Sequence, residues 1–134
     1  MDRMGDIFAA VRSGDTGTIR WYLEHGGDAN ARDFSPIVGA GNALLHDAVI
    51  SRNAELVALL ILHGADVNAQ CEEGWTPLLR ASDAADEAII RQLLAAGADP
   101  SITNVEGYTA ADRLPIRRSD LKPLLIRTQD NPRK

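Results

Sequence analysis

The sequence predicts an all-α solenoid in which about four helix-turn-helix units stack side by side and are joined by β-hairpin-like loops. Three observations predict it. Blocks of sequence recur at a spacing of 33 residues. Each block has the same internal order: a short apolar stretch, a polar break, and a longer stretch with helical periodicity that stops at a glycine. Aromatic residues make up only 4% of a chain that is 45% apolar. A core built from Ala, Leu, Ile and Val suits closely packed helix pairs better than a β-sandwich.

The period is legible by direct comparison. GADVNA at 64–69 returns as GADPSI at 97–102, and GNALLHDA at 41–48 returns as GWTPLLRA at 74–81, both after 33 residues. GYTAADRL at 107–114 is a further copy. The earlier copy, GGDANA at 26–31, lies 38 residues before GADVNA, and the five additional residues fall in FSPIVGAG at 34–41. Phase is kept across one insertion, as expected when each repeat is a structural unit that stacks on its neighbours.

Within each unit the short stretches are IFAAV (7–11), ALLHDAVI (43–50), PLLRAS (77–82) and AADRL (110–114), each the length of two helical turns. The longer helices are TIRWYLEH (18–25), AELVALLILH (54–63) and EAIIRQLLAA (87–96). Their apolar residues fall on one helical face, as with Leu56, Leu59 and Leu60. Gly26, Gly64 and Gly97 follow directly, as a left-handed helix stop requires. Ala10, Ala48 and Ala81 occupy equivalent places on the short helices, where helices about 8–10 Å apart need small side chains at the contact.

This pattern resembles the ankyrin repeat. The period, the run Thr76–Pro77–Leu78–Leu79–Arg80–Ala81, which is similar to the Thr-Pro-Leu-His-x-Ala signature, and the complete GADVNA block carry the resemblance over roughly residues 5–126. It implies one domain, 1–127, made of an N-terminal cap unit (5–33), repeats at 34–70 and 71–103, and a C-terminal cap unit (104–127), followed by a basic flexible tail at 128–134. His46 matches the histidine that braces the loop in the family, whereas Leu79 replaces it in the next repeat. The last long helix is expected at 119–127, capped by Ser119, with Pro123 near its first turn.

Proteins of this kind hold partners on a concave surface formed by the hairpin tips and the exposed face of the short helices. Carried onto this chain, that surface comprises Phe34, Ser35, Asn42, Ile50 and Ser51, then Glu72, Glu73, Trp75 and Asp83, then Val105, Glu106 and Tyr108, with Ile37 and Val38 in the inserted tip. Trp75 and Tyr108 share a repeat position and should lie side by side. The set Phe34, Ile37, Val38, Trp75 and Tyr108 is apolar and aromatic, the composition of an interface. Glu72, Glu73 and Glu106 form an acidic ridge on the same tips. Of Trp21 and Tyr22 on the first long helix, at least one should pack as core.

Charge and motif content narrow the function class. The net charge of −5 divides into −10 over residues 1–112 and +5 over 113–134, and the acidic body argues against wrapping nucleic acid. No apolar run reaches membrane-spanning length, and the N-terminus lacks a secretory pattern. The single cysteine, Cys71, cannot form an internal disulfide, which fits a reducing, cytoplasmic compartment. No phosphate loop, CxxC or HExxH motif occurs, and His25 and His63 recur at helix ends because the repeat recurs, so neither cofactor nor metal is expected. The expectation is a monomeric, non-enzymatic adaptor or inhibitor of another protein. The alternatives are a bacterial immunity protein that neutralises a toxin and, in a different class, an enzyme built on Cys71 and His46.

Overall fold

A computed structural model describes residues 3–35 and 40–126. Ile37, Val38 and the expected tail at 128–134 lie outside the described residues. Helices come in pairs: α1 (Arg3–Ser13) with α2 (Thr16–Glu24), α3 (Leu44–Ile50) with α4 (Ala54–Leu62), and α5 (Pro77–Asp83) with α6 (Glu87–Ala95). The first helices of the pairs, α1, α3 and α5, pack in one row and the second, α2, α4 and α6, in another; α1, at 11 residues, is longer than the two-turn stretch expected. Ala10, Ala48 and Ala81 are buried in the first row, as the need for close approach predicts. Leu44, Leu45, Leu56, Leu60, Leu78, Ile89, Ile90 and Leu93 are almost wholly enclosed. Each contributes about 1.5–3 kcal/mol on burial.

The long helices start on a common device. Asp15, Asn53 and Asp86 accept the amides of Thr18, Leu56 and Ile89 at 3.1, 3.1 and 3.2 Å, each satisfying one of the unpaired N–H groups of a first turn. They stop at Gly26, Gly64 and Gly97, whose φ angles of 89°, 92° and 99° favour a residue without Cβ. His25 and His63 stand at those ends; the Nδ1 of His25 lies 2.8 Å from the Trp21 carbonyl, and its ring stacks on the exposed Trp21 at 4.0 Å. Tyr22 instead packs against the core and donates its hydroxyl to the Asp28 carbonyl at 3.0 Å.

Between units the chain makes hairpins. Strand β1 (Arg32–Asp33) pairs antiparallel with β2 (Asn42–Ala43), Arg32 opposite Ala43. The next two tips each close with two backbone bonds: Cys71 N–H to the Trp75 carbonyl (3.1 Å) with Gly74 N–H to the Cys71 carbonyl (2.9 Å), and Asn104 N–H to the Tyr108 carbonyl (3.1 Å) with Gly107 N–H to the Asn104 carbonyl (2.9 Å).

The last unit departs from the expected helices. Its short segment is only a 3-10 turn at Ala111–Arg113, because Leu114 precedes Pro115 and takes an extended conformation (φ −67°, ψ 135°). A helix capped by Ser119 does not form. Pro123 would then hold the position of the first intrahelical donor, which it lacks. A 3-10 segment, Ile116–Leu121, kinks at Arg118, and α7 (Lys122–Leu125) begins where Pro123 falls in the first turn.

Candidate protein-binding face

The tips are joined to one another by a repeated set of bonds. Arg32 donates to the Gly41 carbonyl of its own hairpin (3.2 Å) and to the Gln70 carbonyl of the next unit (2.6 Å). Gln70 repeats the act, donating to the carbonyls of Gly74 (3.0 Å) and Thr103 (3.2 Å). Backbone bonds cross the junctions too: Glu72 N–H to the Ala40 carbonyl and Val105 N–H to the Glu73 carbonyl, each 3.0 Å. Gly74 allows the second of these approaches, since a Cβ there would sit 3.0 Å from the Val105 nitrogen. A second ladder ties the turn segments: Asn30 Oδ1 accepts the Asp66 amide at 2.7 Å and Asn68 Oδ1 accepts the Asp99 amide at 2.8 Å. The tips therefore stand on a cross-braced base.

His46 supplies a further, buried brace. Its Nδ1 accepts the Ala43 amide at 3.0 Å, so its Nε2 carries the proton and donates to the Trp75 carbonyl at 2.7 Å. Burial, aided by the charges of Arg80 and Arg32, pushes its pKa down to about 4. Leu79 stands in the histidine position of the next unit and lies instead in an apolar cluster with Cys71 and Trp75 of its own unit. Both nitrogens of His46 are thus committed, and the buried Cys71 has no general base in that ring. Among the described residues no group of acidic, histidine or cysteine side chains could hold a metal ion.

The residues expected on the face divide. Phe34 (67% exposed), Val105 (72%), Tyr108 (42%) and Ile50 are open to solvent. Ser35, Glu72, Glu73, Asp83 and Glu106 are exposed as well, and Ser51 is half-buried. Asn42 and Trp75 are not on the surface. Asn42 is buried with its amide donating to Asp47 Oδ1 at 3.3 Å. Trp75 is 9% exposed, because its ring packs into an apolar cluster with Leu79 and Cys71. Trp75 and Tyr108 are neighbours through Arg113, whose guanidinium lies 5.3 Å from one ring centroid and 5.4 Å from the other. Arg80 covers the Trp75 ring at 4.4 Å.

Two cations on this face carry no signal in the sequence. Arg12 spans Asp33 (3.4 Å) and Asp47 (3.1 Å), and Arg113 pairs with Asp83 at 2.7 Å. Burial raises the pKa of Asp47 even with Arg12 beside it, whereas bonds from Ser35 and Arg12 outweigh burial at Asp33 and lower its pKa. Arg12, Ile50 and Asp83 share one repeat position, but their side chains differ in kind, so no recurrence flags them.

A stack of helix pairs that presents an apolar face on braced loops is a binding scaffold of the helical-repeat class. The chain belongs to the ankyrin-repeat family: residues 7–104 match the family described as ankyrin repeats, three copies. Ankyrin repeats are protein-interaction modules. Relatives include human protein phosphatase 1 regulatory subunit 27, 44% identical over 102 residues, covering 76% of this chain and 64% of the relative. The mouse protein of the same name is 34% identical over 114 residues, covering 85% and 71%. The mouse B-cell lymphoma 3 protein homolog is 34% identical over 103 residues, covering 77% of this chain and 22% of the relative. Among the described residues no helix is long and apolar enough to cross a membrane.

Proposed function

We propose that this chain is a non-catalytic adaptor or inhibitor that acts by occupying the surface of a partner protein. The observation that carries the reading is the exposure of Phe34, Ile50, Val105 and Tyr108 on the tips and short helices. Large apolar side chains held on a rigid, solvent-facing base are the usual anchors of an interface. The two relatives named as phosphatase regulatory subunits support regulation of another protein as the mode of action, and make protein phosphatase 1 the first candidate partner to test. The relatives named above do not bear on toxin neutralisation, so that alternative is not carried forward.

The test is a pull-down with the wild type and a Phe34→Ala/Tyr108→Ala variant, both confirmed folded by circular dichroism, against purified protein phosphatase 1 and against lysate. A protein captured by the wild type and lost by the variant supports the reading. Equal capture by both refutes this face as the site.

A further inference from the structure

The cations and carboxylates of the tip face are unequally engaged. Arg12 is spent on Asp33 and Asp47, and Arg113 on Asp83. Arg32 is spent on two backbone carbonyls, and Arg80 lies against the Trp75 ring. By contrast Glu72, Glu73 and Glu106 are exposed, and none forms an ion pair with another described residue. The apolar side chains are interleaved with these carboxylates. Gly41 touches both neighbours, since a Cβ on it would meet Glu72 Cγ at 3.1 Å and Phe34 Cε1 at 3.3 Å. The bond from Val105 to Glu73 then carries the strip on to Glu106 and Tyr108.

Resting on the binding reading above, we propose that the apolar strip of Phe34, Val105 and Tyr108 seats a basic segment of the partner protein. Large apolar side chains of that segment cover the two rings and the valine methyl groups, and its Lys or Arg side chains stand against Glu72, Glu73 and Glu106. A partner that covered these carboxylates without cations or other donors would bury them unpaired, which is costly. A basic one gains faster encounter and correct register from them.

Random linear peptides displayed on phage are the probe, selected on the intact chain. The expected winners alternate Lys or Arg with large apolar residues. They bind at least about tenfold more weakly to Glu72→Gln/Glu106→Gln and to Phe34→Ala/Tyr108→Ala, yet bind normally to Glu24→Gln/Glu55→Gln, which removes the same charge from the long-helix face. Their affinity for the wild type falls as salt rises. Neutral or acidic winners, no winners, equal loss on the Glu24/Glu55 variant, or indifference to salt would each overturn the proposal. Should a tip variant fail to fold, the salt series and the Glu24/Glu55 comparison still decide. A partner captured in the pull-down and lost with the tip variant, alongside non-basic winners, would keep the binding face and reject its basic occupant.

Discussion

The Nε2–H of His46, on the second short helix, donates to the backbone carbonyl of Trp75 in the following tip across 2.7 Å. The neutral ring is the form that fits, because its Nδ1 is already accepting the Ala43 amide and has no room for a proton of its own. A residue 0% exposed thereby fastens one repeat to the next.

Burial of that ring, which outweighs the opposing effect of its bond to Trp75, makes stability depend on pH. The folded pKa of His46, about 4, lies below the ordinary 6.5, so between those values the unfolded chain binds the extra proton. The contribution is complete above about pH 6.5 and declines as pH falls, the loss reaching roughly 3 kcal/mol near pH 4. Asp47, whose pKa burial raises, offsets part of the loss at the acid end. Melting temperatures from about pH 7.5 to about 4.5 should fall steeply for the wild type. His46→Leu, which copies Leu79 of the next unit, should start lower and vary little; parallel slopes would assign the effect elsewhere.

Trp75 and Tyr108 occupy one repeat position yet have opposite fates. Trp75→Ala should cost about 3–5 kcal/mol, since it empties a site packed by Cys71, Leu79 and Arg80. Tyr108→Ala, at an exposed tip, should cost less than about 1 kcal/mol. Urea denaturation of both variants checks the contrast, and a Trp75→Ala chain as stable as the wild type would show the ring to be dispensable to the fold.

The units, their order and their glycine stops were legible because each is a local consequence of composition and period: Gly64 and Gly97 end helices for the same reason in the same place. The candidate face was legible only in part. The repeat position shared by Trp75 and Tyr108 gives their location along the chain, but the side on which a ring lies depends on the side chains around it. Leu79 in place of histidine leaves an apolar hollow that Trp75 fills. The same holds for Arg12, whose partners lie 21 and 35 residues away and follow no motif. The C-terminal cap was not legible because Pro115 and Pro123 each displace a helix boundary that periodicity alone extends.

Arg52 and Ala85 hold the equivalent turn between short and long helices with φ of 58° and 54°, a region where the first unit has Gly14. The left-handed conformation costs a side chain with Cβ about 1–2 kcal/mol. Arg52 gives little back, since its contact with Asp86 is 3.4 Å long and solvent-exposed on the arginine side. Arg52→Gly should therefore leave stability unchanged or raise it by up to about 1 kcal/mol, after the entropy that glycine adds to the unfolded chain. A calorimetric melt is sufficient, and a clear fall in melting temperature would show that the ion pair outweighs the strain.

Asn68 offers a test of how the stack is coupled. Its backbone amide donates to Asp66 at 2.9 Å within its own turn, while its side-chain oxygen accepts the Asp99 amide of the next unit at 2.8 Å. Asn30 does the same one unit earlier, but Ser101 at the following position turns back onto Asp99. The ladder thus ends there, with Asn68 as its last rung. Asn68→Ala should cost about 1–2 kcal/mol, the penalty of leaving an amide without its acceptor. In a stack whose units contact only neighbours, the loss should be local. Hydrogen exchange should quicken at Asp99 and its neighbours in that turn while α1 and α2 keep their protection; uniform acceleration along the chain would instead mean that the repeats unfold as one block.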